Sequence, residues 1–134
     1  SNMSNELIQN HSNELVETLN QNGGVDKLLK PLIREIHLFD TYIAGTTHLE
    51  DPSILLQLNP QESLKLVREQ NKFDPNAIVI LDSSNKKLGY IPEKDNIVFS
   101  RLMDAGKALS AKIKSIQKKK SFMDIRISIY LVDF

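Results

Sequence analysis

The spacing of apolar positions changes character partway along this chain. Over residues 3–36 it follows a helical period, with Leu7, Ile8, His11, Leu15 and Leu19 near the three-and-four spacing of an amphipathic helix. Gly23-Gly24 stops the pattern, Asp26 can cap a second short helix through Lys30, and Pro31 breaks that one. Residues 1–36 therefore read as a helical extension, a candidate docking or self-association element. Ser1-Asn2 ahead of Met3 has the form of a scar left by a cleaved tag.

From Leu38 onward the period shortens to that of strands. The run LFDTYIAG is rich in β-formers and ends at Gly45, and Asp51-Pro52 starts a turn. Leu64, Leu66 and Arg68 alternate with Ser63, Lys65 and Val67, as in a half-buried strand. Ala77–Leu81 is continuously apolar, Asp82-Ser83-Ser84-Asn85 is a turn cluster, and Lys87–Ile91 returns, which together predict a β-hairpin. Pro92 ends that strand. Asp95 is placed to cap a helix carrying Ile97, Val98, Leu102 and Met103, stopped by Gly106. Leu109, Ala111 and Ile113 open another strand. Lys118-Lys119-Lys120-Ser121 turns the chain, and Ile125, Ile127, Ile129 and Leu131 alternate cleanly in the last strand.

The pattern gives about six short strands, with one helix between the fourth and fifth. The connections are too short for parallel crossovers, so the sheet is expected to be antiparallel. Closure removes exposed edges, which favours a small six-stranded OB-like barrel over an open sheet. The fold class is thus mainly β with added helices, with the barrel domain over residues 37–134.

Composition narrows the chemistry. A chain of 134 residues suffices for one core, and 40% apolar with 25% charged residues is ordinary for a globular protein. No run approaches the roughly 18 apolar residues of a membrane span. The absence of Cys excludes disulfides, thiolate catalysis and Cys-based zinc sites, and fits a cytoplasmic protein. The 17 basic and 17 acidic residues balance, but Arg101, Lys107, Lys112, Lys114, Lys118, Lys119 and Lys120 face one acidic residue, Asp104, within their segment.

Phosphate-cradling GxxxxGK[ST], GxGxxG and HExxH are all absent, and His11, His37 and His48 lie on different elements. No cofactor, metal or enzyme activity is expected. Asp74 with Glu69 offers too few carboxylates for a two-metal hydrolase. Three features remain. The loop Asn71, Phe73, Asp74 and Asn76 reads alone as a turn, because an Asp before Pro usually bonds its own backbone. Gly89-Tyr90-Ile91-Pro92 reads alone as a strand end, with Gly for close backbone approach, Tyr half-buried and Pro to stop pairing. The basic run reads alone as a solvated hairpin tip. At 6% aromatic content an extended stacking platform is not supported, so a compact pocket fits better.

Taken in order, Ala44-Gly45, LKLVRE (64–69), NKFDPNAI (71–78), LGYIP (88–92) and RLMDAGK (101–107) resemble the HIRAN domain over roughly residues 38–132. The resemblance implies an OB-like barrel with inserted helices. It also implies binding of single-stranded DNA, at a free 3′-hydroxyl end, in DNA repair or at replication forks. Carried over, Asn71, Phe73 and Asp74 line the pocket, with Lys72 beside them, and Tyr90 contacts backbone or base. A carboxylate accepts a hydrogen bond from a terminal hydroxyl and repels a terminal phosphate. Where end-binding members carry a basic and aromatic cluster, this chain has Thr46-Thr47-His48-Leu49. Thr47 and His48 are the residues left to contact phosphate or base there. Glu93 follows Pro92 where a basic residue would aid phosphate contact. The partner implied is single-stranded DNA or a DNA end. The alternative is a non-enzymatic protein-interaction adaptor that keeps the fold with little DNA affinity.

Overall fold

The computed structural model describes residues 33–133. Six strands form one antiparallel sheet in the order β1-β6-β5-β2-β3-β4, with β1 Arg34–Tyr42, β2 Ser63–Arg68, β3 Ile78–Leu81, β4 Lys87–Tyr90, β5 Ala108–Lys118 and β6 Met123–Asp133. One helix, α1 (Glu93–Asp104), lies between β4 and β5, and two short 3-10 helices, Thr46–His48 and Pro52–Gln57, follow β1. The number of strands, their antiparallel sense and the place of the helix match the sequence expectation. Among the described residues no helix is long and apolar enough to cross a membrane.

The alternation read from the sequence is the alternation of burial. In β2, Leu64 and Leu66 are buried while Ser63, Lys65 and Val67 are exposed. Ile113 on β5 and Ile125, Ile127 and Ile129 on β6 are almost wholly buried. They meet Ile78, Ile80, Leu88, Ile91 and Phe99 in one core. Asp82 builds the β3–β4 turn, its Oδ1 accepting from the backbone N–H of Ser84 (2.8 Å) and Lys86 (2.9 Å). The left-handed backbone at Asn85 completes that turn.

Three expectations need correction. The closed barrel is instead an open sheet whose edge strands are β1 and β4. A single isolated bridge joins the chain after β1 to β4, through Ala44 N–H to Tyr90 O (2.8 Å) and Tyr90 N–H to Ala44 O (2.9 Å). Pairing stops there because Gly45 turns the chain away at φ 76° on one side and Pro92 ends donation on the other. The helical reading of residues 3–36 lies mostly outside the described residues, but Arg34–Ile36 are already strand, since their β-paired neighbours outweigh local propensity. Asp95 is not the cap of α1. Pro92 precedes the first turn, and Asp95 sits inside it, where its Oδ2 accepts from the buried Thr41 hydroxyl at 2.8 Å. The helix ends as expected at Gly106, whose N–H reaches Met103 O (2.9 Å) while Lys107 N–H reaches Leu102 O (3.0 Å).

Asp40 ties the outer face of β1 to its neighbours. Its carboxylate accepts from Ser128 Oγ on β6 (2.6 Å), Lys114 Nζ on β5 (2.8 Å) and His37 Nε2 (2.6 Å). The Lys114 bond, with Ser128 and His37 behind it, holds the carboxyl far below the usual carboxylate range. A lowered folded pKa means this stabilisation is fully present above about pH 4 and is lost as pH falls further. Asp40→Asn is expected to flatten the acid limb of stability. Chemical denaturation at neutral pH and near pH 3 reads this, and equal acid losses in both proteins would refute it.

Candidate nucleic-acid interface

The loop between β2 and β3 is pinned from below by Arg68, the last residue of β2. Its guanidinium donates to Ala77 O (2.6 Å) and Pro75 O (2.8 Å), and to both carboxylate oxygens of Asp104 at the end of α1 (2.9 and 3.3 Å). One planar fork therefore fixes the far side of the loop to the sheet and the helix. Sequence reasoning assigned Arg68 no such part. The available signal was its phase, a charged residue in the inward register of Leu64 and Leu66.

Asn71 organises the exposed side. Its Oδ1 accepts from the N–H of Phe73 (2.9 Å) and of Asp74 (3.2 Å), an Asx turn. Asp74 is fixed in turn, with Oδ1 accepting from Asn76 N–H (2.9 Å) and Oδ2 from Asn96 Nδ2 on α1 (2.8 Å). Asn96 is buried, and nothing in the helix pattern singled it out. Phe73 is held by backbone alone, and its ring is 84% exposed. Water gains nothing from an apolar ring presented this way, so it is an apolar surface open to contact. Lys72 Nζ lies 5.3 Å from the centre of the Phe73 ring, and Lys72 does not line the hollow that Phe73 borders.

Tyr90 faces this loop from β4. Its hydroxyl donates to Glu69 (2.8 Å to Oε1) and accepts from Lys87 Nζ (2.8 Å). Lys87 Nζ also lies 4.4 Å from the centre of the Tyr90 ring. Glu69 accepts from Asn71 Nδ2 as well (3.2 Å), so one carboxylate joins the loop to the strand. Sequence reasoning weighed Glu69 only as a partner for Asp74. The two carboxylates are instead each engaged by different donors. Among the described residues no three His, Cys, Asp or Glu side chains converge as metal ligands.

Tyr90 stands where it does because Gly89 lets two backbones meet. A Cβ at Gly89 would lie 2.3 Å from Ala44 O and 2.6 Å from Ile43 Cγ2. The close-approach reading of GYIP therefore holds, and Tyr90 is half-buried as that reading requires.

These elements enclose a concavity of about 440 Å3 lined by His48, Asn71, Phe73, Asp74, Tyr90 and Glu93, among others. The structure thus brings together most of the candidate residues from three separate segments. Thr47 is not on this wall and lines a neighbouring groove instead. It points elsewhere because Gly45, left-handed at φ 76°, starts a 3-10 turn that sends successive side chains to different sides.

A family model described as HIRAN domain matches residues 36–132. Two crystal structures are similar in fold. One is a protein from Lactobacillus plantarum, with TM-score 0.70 and 24% identity, covering 76% of this chain and 99% of that one. The other is the HIRAN domain of human HLTF, with TM-score 0.60 and 14% identity, covering 75% of this chain and 78% of that one. Among curated proteins no match is found.

Proposed function

The chain belongs to the HIRAN domain family, and from that premise we propose that it is a non-catalytic nucleic-acid-binding module that seats the free 3′-hydroxyl end of a single DNA strand in the concavity between Phe73 and Tyr90. The observation that carries this reading is the convergence of Phe73, Asp74, Tyr90 and His48 on one hollow. The exposed Phe73 ring stacks on the terminal base. The Asp74 carboxylate, already oriented by Asn76 and Asn96, accepts from the terminal hydroxyl. The proposed setting is DNA repair or replication forks, a reading that membership of the HIRAN domain family supports.

Glu93 on the wall, and Glu69 beneath Tyr90, favour a second reading, a protein-interaction adaptor with little affinity for a polyanion. One titration separates the two. Labelled single strands ending in 3′-hydroxyl or 3′-phosphate are added to the protein at low and moderate salt. The end-binding reading expects the hydroxyl end to be preferred by at least about tenfold, because a phosphate beside a fixed carboxylate is repelled. Asp74→Asn removes the charge and should bring that ratio close to one. Absence of binding to either strand at high micromolar protein leaves the adaptor, and equal binding to both ends removes end recognition.

A further inference from the structure

The cations of this domain are unevenly neutralised. On β5, Lys112 pairs with Glu35 (2.6 Å) and Lys114 with Asp40 (2.8 Å). Elsewhere Arg68 pairs with Asp104 and Arg126 with Asp124. At the β5–β6 hairpin tip the pairing stops. Lys118, Lys119 and Lys120 are exposed, and among the described residues none of their ammonium groups has a hydrogen-bonding or ion-pair partner. Three adjacent unpaired charges repel one another, an arrangement that stability alone does not favour.

The three lysines line a groove of about 530 Å3 with Thr46, Thr47 and Phe122, and no Asp or Glu is on its wall. The other hollow next to His48 is different, since Glu50 and Asp51 face Lys86 and Lys87 there. Of these two hollows beside the Thr46–His48 turn, only the Lys118–Lys120 groove carries positive charge alone. The groove and the concavity lie on either side of one short stretch of chain. Gly45 and His48 line the concavity, while Thr46 and Thr47 line the groove. These are four consecutive residues, the last three in one 3-10 turn, which rises only about 2 Å per residue. The hollows share one turn of chain as a common wall.

We infer that the Lys118–Lys120 groove is a phosphodiester subsite, holding the backbone of the same single strand whose last nucleotide occupies the concavity. The inference rests on the end-binding reading above and adds a division of labour to it. The concavity carries Asp74 and Glu93, so it selects a neutral sugar end and contributes little charge neutralisation. The groove supplies what the Thr-Thr-His turn lacks, three cations that displace counterions from the strand.

The test uses the full chain, as wild type and as the Lys118→Ala/Lys119→Ala/Lys120→Ala variant. These positions are exposed, and the variant is checked for an unchanged melting temperature. Oligothymidylates of about four and about twelve nucleotides with 3′-hydroxyl ends are titrated across a salt series. Wild type should bind the longer strand at least about tenfold more tightly, and the variant should lose that gain while keeping its affinity for the short one. The slope of log affinity against log salt for the long strand should flatten by about two, from roughly 0.7 per phosphate neutralised. An unchanged slope and length dependence in the variant overturns the subsite and leaves the concavity reading intact. Failure of wild type to bind either strand overturns the end-binding reading itself. Polyglutamate that binds wild type as tightly as DNA, and is lost in the variant, would assign the groove to an acidic protein instead.

Discussion

Gly89→Ala is expected to cost on the order of 3 kcal/mol, the upper part of the range for forcing atoms into a packed site. The added methyl would sit 2.3 Å from Ala44 O and 2.6 Å from Ile43 Cγ2, and the first of these is backbone. Backbone held by hydrogen bonds on both sides cannot swing aside as a side chain can. The strain must be relieved by parting β4 from the segment after β1, which breaks the Ala44–Tyr90 bridge. For a domain of this size the melting temperature should fall by roughly 15 °C. Gly106→Ala provides the control. Its backbone is left-handed at φ 90°, but nothing lies within 4 Å of the added Cβ. It should therefore lose only the conformational cost of about 1–2 kcal/mol. Thermal and denaturant unfolding of the two variants measure this, and equal losses would show that crowding at Gly89 is not what matters. Because the same bridge sets the position of Tyr90, Gly89→Ala should also weaken strand binding in whatever fraction remains folded.

Phe73→Ala should do the reverse. A ring 84% exposed buries almost nothing on folding, so stability should change by no more than about 0.5 kcal/mol. The Asx turn beneath it is built from backbone N–H groups and Asn71, none of which the substitution removes. Binding should nonetheless weaken roughly tenfold to a hundredfold, the cost of losing one base-stacking ring. Anisotropy titration with a 3′-hydroxyl single strand, paired with a melting curve, reads both quantities. A variant that binds as wild type does would remove Phe73 from the site. One that melts well below wild type would show a structural part for the ring that its exposure does not indicate.

The contrast between these positions tracks what could be read in advance. Gly89 was legible because a glycine before an aromatic at a strand end has few other uses. Phe73 stands out in the sequence as an aromatic amid Asn, Asp and Pro, and the structure leaves it exposed. Arg68 and Asn96 were not. Each acts through a partner far along the chain: Arg68 holds Asp104, and Asn96 holds Asp74. Glu69 could be weighed only beside Asp74, because its bond to Tyr90 on another strand leaves no local signal.

Alternation by itself determined the strands, their buried faces and the place of the helix, since burying one face of a pleated strand requires apolar residues at every second position. That the β2–β3 loop turns was legible from its Asn, Asp and Pro, since a turn depends on neighbours in sequence. Tertiary structure decided the rest. Sheet closure depends on whether two strand ends meet over several residues, and Gly45 and Pro92 allow one bridge only. The separation of Thr47 from His48, and the meeting of Thr47 with the lysines of a distant hairpin, follow from how one 3-10 turn is set between two hollows. Such placements are fixed by contacts between segments far apart in the chain, and local sequence carries no period that encodes them.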